Sequence, residues 1–295
     1  MDRFIQGCMR IKDMTTAQIR ELIDANLAND INVFDHADIY GGGECESAFG
    51  KALKEAPQLR DKIIIQTKGG IVKDLSCHRY DNSANYLIDC VHKSAKRLGV
   101  DKIDRFLIHR PDALFNPDET AKAFDKLHSE GLVDEFGVSN FSGSQIALLS
   151  VSCKQKIKYN QVRVSIYHCP MIEYGMNYNR FNDAGVNRDG GTLDYCRLNG
   201  VQIQCYSPYK GKKKSFISDL RYPKLNKLLK DLSFKYEVAP NAIAAAWLLK
   251  HPAGFAVING TIRPERVEQI AKAKDINLTR GEWYELYHSM GRVLP

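Results

Sequence analysis

Short apolar segments alternate with amphipathic segments from one end of the chain to the other. The apolar segments are rich in Ile, Val and Phe and have the length of buried strands. The strand candidates are residues 4–9, 32–36, 63–68, 105–109, 135–138, 157–164, 201–206 and 254–258. The pattern therefore predicts eight strands separated by helical sequence.

The connecting segments carry apolar side chains at the 3.6-residue spacing of helices that pack through one face. The first stripe covers residues 19–27, and Thr15 or Thr16 is expected to cap it. The second covers 87–98 and ends at Gly99, a residue type that commonly ends helices. Further helices are predicted over 225–232, after Pro240, and over 267–271, the last of the series.

Eight strand–helix units in a chain of 295 residues predict an α/β fold, a (β/α)8 TIM barrel that forms a single domain over residues 1–295. A doubly wound sheet is the alternative, but no GxGxxG sequence follows any predicted strand. Two connections are long, at 170–199 and 206–216. Both follow predicted strands, where barrels build their binding sites.

Composition is ordinary for a soluble protein, with 44% hydrophobic and 26% charged residues. No apolar run approaches the length of a membrane span, and the N-terminus lacks a signal-peptide pattern. The eight cysteines form no CxxC pair, which argues against a zinc knuckle or a redox motif. We therefore expect a cytoplasmic protein with free thiols and no membrane partner.

A net charge of +7 has two interpretations. It describes either a solvated basic surface or a surface that attracts an anionic ligand, such as a cofactor that carries phosphate. The one dense basic run, residues 210–214, lies outside any recognised nucleic-acid module. Nucleic acid is accordingly not an expected partner.

Four ionisable side chains lie within six residues at the end of the second predicted strand, in the sequence DHADIYGGG. They include Asp35 and Tyr40, and the third and fourth strands end at Lys68 and His109. Because strand ends converge at the mouth of a barrel, these four residues are predicted to meet in one pocket. The same segment also contains His36 and Asp38, which are expected to be ordinary surface or turn residues.

The predicted group has a chemical logic. A phenol has a pKa of about 10, and a nearby lysine cation favours the phenolate, which makes the phenol a better acid. A carboxylate would hold that lysine in place, and an imidazole could orient a carbonyl oxygen. Together these groups could protonate a carbonyl while hydride arrives at its carbon.

Each residue of the group also has a simpler interpretation. Asp35 fits a turn, Tyr40 a packed aromatic ring, and His109 a histidine of the core. Lys68 is harder to explain in this way, because burying an unpaired ammonium is costly. The prediction therefore depends on the four residues together, at the ends of consecutive strands.

Seven segments in the same order resemble those of the aldo-keto reductases. DHADIYG resembles the Asp-x-x-x-x-Tyr signature of that superfamily, and the others are QTKGG, LIHRPD, FGVSNF, YNQV, CYSPY and NGTIRPERVEQ. The series spans residues 35 to 269, which is most of the chain. The closest resemblance is to a bacterial oxidoreductase branch with the DHADIYGG signature.

The resemblance implies a (β/α)8 barrel that binds NADPH without a Rossmann domain. It implies that Asp35, Tyr40, Lys68 and His109 are catalytic, with Tyr40 as general acid. The residues that it assigns to the nicotinamide are Ser139, Asn140 and Gln161 at the carboxamide and the Tyr206-Ser207 segment on the ring. Those that it assigns to the adenosine 2′-phosphate and the adenine are Thr261, Arg263, Arg266 and Gln269.

The sequence departs from the family pattern in places. His36 stands where many members carry Thr, and Gly260 stands where some members have a lysine that binds phosphate. The second departure shifts the expected phosphate contact to Arg263 and Arg266, whose spacing on a helical turn would place both guanidiniums on one side. The lysines after Ser207 either clasp the pyrophosphate or form a solvated loop.

Three functions remain open at this stage. The first is an NADPH-dependent oxidoreductase that reduces small aldehyde or ketone substrates to alcohols. The second is a binding or regulatory protein that kept the fold, although the intact group of four argues against lost activity. The third is a metal-dependent hydrolase that uses Asp35, His36 and His109, but the sequence contains no closely spaced His-x-His pair, so no metal is predicted.

Overall fold

The structure is a computed structural model that describes residues 2–73 and 77–294. Eight strands of this part of the chain form a closed barrel in which all neighbouring pairs are parallel. They are β1 (Phe4–Gly7), β2 (Val33–Asp35), β3 (Ile64–Gly69), β6 (Ile103–Ile108), β7 (Val133–Ser139), β8 (Ile157–Arg163), β9 (Gln202–Tyr206) and β10 (Ala256–Asn259). The predicted barrel is confirmed, and the doubly wound alternative is wrong.

Helices surround the barrel. They are α1 (Thr16–Leu27), α2 (Glu44–Glu55), α3 (Ala84–Leu98), α4 (Pro117–Ser129), α5 (Gly143–Ser152), α6 (Pro170–Met176), α7 (Thr192–Asn199), α8 (Pro223–Tyr236), α9 (Pro240–Leu249), α10 (Pro264–Ala271) and α11 (Arg280–His288). Thr15 is the N-cap of α1 in a capping box with Gln18, and Gly99 ends α3 at a φ of 67°. Both predicted helix ends are therefore confirmed.

Some elements were not expected from the pattern. A hairpin of β4 (Ile71–Lys73) and β5 (His78–Tyr80) follows β3, and all three residues of its second strand are exposed, so that strand lacks the apolar pattern that marks a buried strand. The predicted long loop at 170–199 contains α6 and α7, which are only seven and eight residues long. The chain also continues past α10 into α11.

The interior of the barrel contains both apolar and polar side chains. A small buried apolar cluster is formed by Ile5, Val33, Ala256 and Ile258. Side chains alternate along a strand, so the inward residue two positions after Val33 is Asp35, in register with Gln66 of β3. On β9, Gln204 is in register with Ala256, so polar side chains lie directly beside this cluster.

The larger hydrophobic core lies between the strands and the helices. Most cysteines belong to it, and those that are buried as free thiols are Cys8, Cys45, Cys90, Cys169, Cys196 and Cys205. Across residues 2–73 and 77–294, none of the helices combines the length and the apolar character that a membrane crossing requires.

Candidate active site

The turn after β2 determines where the Tyr40 ring lies. Gly41, Gly42 and Gly43 follow it with φ values of 58°, 67° and 96°, a region that favours glycine. A Cβ at Gly43 would lie 2.9 Å from the Cδ of Arg97, so this position also lacks room for a side chain. The glycine-rich run thus lets the chain reverse tightly from β2 into α2, with Tyr40 at the start of the turn.

Lys68 lies at the centre of the predicted group. Its Nζ is 2.8 Å from the Oδ2 of Asp35 and donates to the backbone oxygen of His36 at 2.6 Å and to the hydroxyl of Tyr40 at 3.2 Å. Its side chain is completely buried, so the ion pair and the two further contacts replace its lost hydration. The predicted contacts among the carboxylate, the ammonium and the phenol are present.

Tyr40 differs from the expected behaviour in one respect. Burial raises its pKa above the ordinary value of 10.0, while Lys68 opposes the shift and Asp35 adds to it. The sequence argument expected the lysine to make the phenol more acidic, and Lys68 does act to lower the pKa of Tyr40. In the structure the cost of burying a phenolate outweighs the attraction of the lysine, so the net shift is upward.

His109 completes the group, immediately after β6. Its ring is 6.1 Å from the ring of Tyr40, measured between centroids, at an interplanar angle of 83°. Burial, reinforced by the charges of Lys68, Arg110 and Lys73, lowers the pKa of His109 to about 2. The imidazole is therefore neutral at physiological pH. Its buried Nδ1 has no hydrogen-bond partner among the described residues.

His36 is not the surface or turn residue that the sequence suggested, whereas Asp38 does lie in a turn. His36 is fully buried against Phe49, with ring centroids 4.6 Å apart, and burial lowers its pKa to about 3. Asp38 is partly buried, and burial raises its pKa to about 6. Asp38 N donates to the backbone oxygen of Lys68 at 3.0 Å, which joins this turn to β3.

Ser139 and Asn140 lie at the end of β7, beside His109. The Ser139 hydroxyl donates to the backbone oxygen of Gln161 at 2.8 Å, and Asn140 Nδ2 donates to the Ser139 hydroxyl at 2.9 Å. The Tyr206 hydroxyl donates to Asn140 Oδ1 at 3.0 Å across the mouth of the barrel. The structure thus brings together the side chains that the sequence assigned to one end of a cofactor.

Gln161 has a further set of contacts. Its Nε2 donates to Asp35 Oδ1 at 3.0 Å and to Gln204 Oε1 at 3.2 Å. Gln66 Nε2 donates to the same oxygen of Asp35 at 2.6 Å. Sequence reasoning missed Gln66 and Gln204. Their only signal was a glutamine inside an otherwise apolar strand, a residue that is rarely buried without partners.

The segment after β10 carries the other predicted cofactor residues. Asn259 Oδ1 accepts from Thr261 N at 3.2 Å, and the Thr261 hydroxyl accepts from Arg263 N at 3.3 Å. Arg263 is the N-cap of α10 with extended φ and ψ of −111° and 116°, so it does not share a helical turn with Arg266 as expected. Both arginines are exposed.

Gln269 lies farther along α10 and is also exposed. It lines a surface depression of about 680 Å³ between this helix and the C-terminal end of α8. Lys272 and Lys235 line the same depression. Gln269 is therefore placed one helical turn beyond Arg266, on the outside of the barrel.

The basic loop after β9 is folded as a small hairpin. Gly211 N donates to Lys214 O at 2.8 Å, and Phe216 N donates to Tyr209 O at 3.0 Å. Arg163, at the end of β8, donates to the backbone oxygens of Lys210 and Gly211. The loop is thereby attached to the mouth of the barrel, and its lysine side chains are exposed.

Comparison with known proteins identifies the family. The model of the aldo/keto reductase family matches residues 3–288. The chain belongs to this family. It is 35% identical to 6-dehydroglucose reductase from Agrobacterium fabrum (strain C58) over 97% of this chain and 93% of that protein. It is 33% identical to oxidoreductase YdhF from Escherichia coli (strain K12) over 96% of this chain and 92% of that protein. The protein is thus an oxidoreductase of the aldo/keto reductase type.

Solved structures agree on the fold. The aldo-keto reductase from Klebsiella pneumoniae in complex with NADPH superposes with a TM-score of 0.71, at 21% identity and over 96% of this chain and 89% of that one. A thermostable aldo-keto reductase in complex with the inhibitor epalrestat gives a TM-score of 0.75, at 24% identity, over 98% and 95% of the two chains. Within the described part of this chain, no group of three or more His, Cys, Asp or Glu side chains is arranged to hold a metal ion.

Proposed function

We propose that this protein reduces small aldehyde or ketone substrates to alcohols with NADPH, and that Tyr40 is the general acid. The observation that carries the proposal is the buried contact of Lys68 with both Asp35 and Tyr40. A phenol held by an ammonium, beside a neutral imidazole, is suited to donate a proton to a carbonyl oxygen. Both groups lie at the mouth of the barrel, and the chain belongs to a family of reductases.

The residues at the mouth fit a dinucleotide with phosphate groups. Arg263 and Arg266 are exposed, and no carboxylate among the described residues forms an ion pair with either of them, so both guanidiniums can bind an anion. Asn259 has a buried Nδ2 without a partner in the described part of the chain. The structural neighbour from Klebsiella pneumoniae is in complex with NADPH, which supports the same cofactor here.

The chain's own residues would divide the work. Ser139, Asn140 and Gln161 would bind the carboxamide and fix which face of the nicotinamide points into the pocket, with Tyr206 and Ser207 beside the ring. Thr261, Arg263, Arg266 and Gln269 would hold the adenosine end. When bound, the reduced cofactor supplies the hydride. His109, as a neutral imidazole, would orient the carbonyl oxygen towards Tyr40.

Proton transfer then depends on Tyr40. Its hydroxyl would give a proton to the carbonyl oxygen as charge develops there, and Lys68 would stabilise the resulting phenolate. Asp35 keeps the ammonium in position by accepting from it at 2.8 Å. The raised pKa of Tyr40 means that the hydroxyl is protonated, and ready to act as an acid, across the physiological range.

The substrate class is suggested by the relatives. Two relatives that match nearly the full length of this chain, at 35% and 33% identity, are named 6-dehydroglucose reductase. They come from Agrobacterium fabrum and Novosphingobium aromaticivorans. We therefore propose a sugar-derived aldehyde as the first substrate to test, beside simple aldehydes. A cytoplasmic location stays a prediction from the sequence.

The deciding experiment is the loss of nicotinamide absorbance when the purified protein is mixed with NADPH and an aldehyde, with and without a chelator. The proposal predicts turnover that the chelator leaves unchanged. A protein that binds NADPH but never oxidises it with any aldehyde or ketone would instead fit a binding or regulatory role. Turnover that the chelator abolishes would contradict the proposed chemistry.

A further inference from the structure

We propose that Gln66 and Gln204 are positioning residues that fix the orientation of the Gln161 amide and the charge distribution of Asp35. The proposal rests on the function proposed above. It concerns two side chains that do not touch the substrate or the cofactor directly and act through neighbours that do.

Three glutamines and Asp35 form a closed hydrogen-bond network inside the barrel. Gln66 Nε2 donates to Asp35 Oδ1 at 2.6 Å and to Gln204 Oε1 at 2.8 Å. Gln161 Nε2 makes the same two contacts at 3.0 and 3.2 Å. Gln204 Nε2 donates back to Gln66 Oε1 at 2.9 Å. The four residues come from β2, β3, β8 and β9, and all are buried.

The carboxylate of Asp35 determines the orientation of each amide in the network. A carboxylate paired with Lys68 only accepts hydrogen bonds, so both Gln66 and Gln161 must turn their nitrogens towards Asp35. Each amide nitrogen has a second hydrogen, and in both cases the acceptor is Gln204 Oε1. Gln204 must therefore present its oxygen to two donors at once, which leaves its nitrogen for Gln66.

The consequence for Gln161 is that both of its N–H groups are used inside the protein. Its Oε1 is the remaining polar atom and has no hydrogen bond to the described residues. This oxygen belongs to a side chain that is adjacent to Ser139 in the strand register. It can accept from the amino group of a carboxamide, but the held nitrogen cannot donate to a carboxamide oxygen. Without Gln204, one of the two N–H groups would lose its acceptor, and Asp35 alone would hold the amide.

The consequence for Asp35 reaches Tyr40. The negative charge of Asp35 is one of the causes that raise the pKa of Tyr40, together with burial and Cys8 and against the opposing effect of Lys68. The neutral ring of His109 also faces Tyr40. Two amide donors on Asp35 Oδ1 partly neutralise that charge. Removal of the Gln66 donor should therefore raise the pKa of Tyr40 further and make it a weaker acid.

The first test replaces Gln204 with Met, which keeps the size of the side chain and removes its acceptor. Fluorescence titration should show that Gln204→Met binds NADPH and NADH about three- to tenfold more weakly, by the same factor, because both cofactors carry the same carboxamide and one oriented hydrogen bond is lost. Gln202→Met is the matched control. Gln202 is buried on the same strand but donates to the backbone oxygen of Asp2 instead.

The second test replaces Gln66 with Met and measures the pH dependence of single-turnover reduction. The alkaline limb, where Tyr40 loses its proton, should move to higher pH, and Gln202→Met should leave it in place. A purely structural role would lower the melting temperature of either variant without moving this limb. Circular dichroism melting curves establish beforehand that each variant is folded at the assay temperature.

Several results would overturn the proposal. Unchanged affinity of folded Gln204→Met for both cofactors would overturn it. A loss of affinity for NADPH alone would also overturn it, because the effect would then lie at the phosphate. If Gln204→Met does not fold, an unchanged pH profile in Gln66→Met is sufficient. Failure of the wild type to bind or oxidise NADPH would overturn this proposal together with the proposed function. If the wild type is active and both variants behave like it, only the positioning role is overturned.

Discussion

The ammonium of Lys68 lies 3.2 Å from the hydroxyl oxygen of Tyr40 while it remains paired with a carboxylate on its other side. The contact places a positive charge next to the only atom of Tyr40 that can release a proton. Because Lys68 is completely buried, neither water nor salt weakens this interaction much. Burial, Asp35 and Tyr40 act together on Lys68; burial alone would lower its pKa, but its two partners raise it. The lysine is therefore charged at physiological pH.

Lys68→Met should reduce stability as well as activity. The substitution leaves Asp35 buried without its counter-charge, and breaking a buried pair in this way costs about 3–5 kcal/mol. Urea unfolding monitored by circular dichroism measures the loss. Lys93→Met is the matched control, because Lys93 pairs with Asp89 at the surface and such pairs contribute about 0–1 kcal/mol. Similar midpoints for the two variants would mean that the Asp35–Lys68 pair contributes no more than a surface pair.

His36 should make folding stability depend on pH on the acid side. Burial, with a smaller effect of Lys68, lowers its pKa from 6.5 to about 3, so between these values the unfolded chain binds a proton that the folded protein does not. The contribution of His36 to the free energy of unfolding is fully present above pH 6.5. It is lost as the pH falls towards 3, by about 1.4 kcal/mol per pH unit. Asp38, whose pKa is raised by burial, changes the stability in the opposite direction. Its effect is present in both the wild type and a variant at position 36, so a comparison of the two isolates His36.

The change His36→Thr isolates this contribution. Between about pH 8 and about pH 5, the variant should lose about 2 kcal/mol less stability than the wild type. Urea unfolding at the two pH values gives the difference, whatever the change in packing does to stability at either one. The exposed His92→Thr serves as the control and should lose as much as the wild type. An equal acid loss in His36→Thr would show that His36 is not buried as a neutral ring.

Arg266→Ala should separate the two nicotinamide cofactors. A charge-assisted hydrogen bond contributes about 1.5–3 kcal/mol, so loss of one to a 2′-phosphate should weaken NADPH by about ten- to a hundredfold and leave NADH nearly unchanged. Fluorescence titration of both cofactors measures this, and added salt should weaken NADPH more than NADH. Arg280→Ala, which alters another exposed arginine at the start of a helix, is the control. Equal losses for both cofactors would place the phosphate site elsewhere.

The sequence predicted the barrel because its strands are marked locally by apolar residues and its helices by periodic ones. The hairpin of β4 and β5, whose second strand is exposed, has no such mark and was missed. His36 was misinterpreted because it lies in a segment with several ionisable residues, and its packing against Phe49 from the following helix is a tertiary contact. The sequence pattern therefore predicted the features that are marked in the local sequence, and it failed for those that depend on tertiary contacts.

The same distinction applies to the site. The ends of consecutive strands must converge in a barrel, so the contacts of Lys68 with Asp35 and Tyr40 could be expected from the sequence. The contact of Gln66 with Gln204 joins residues 138 positions apart, and no local pattern specifies it. Likewise, the raised pKa of Tyr40 depends on the depth of burial, which only the folded structure shows.

The most direct test of the proposed chemistry is single-turnover reduction by Tyr40→Phe. The change removes the proton donor but keeps the ring against His109, so folding and NADPH affinity should be retained. The enzyme is first loaded with NADPH and then mixed rapidly with an aldehyde, and the loss of nicotinamide absorbance is followed. We predict that the rate falls by about 10²–10⁴-fold, the usual contribution of a general acid. A variant that binds NADPH normally and reduces the aldehyde at the wild-type rate would contradict the assignment of Tyr40 as the acid.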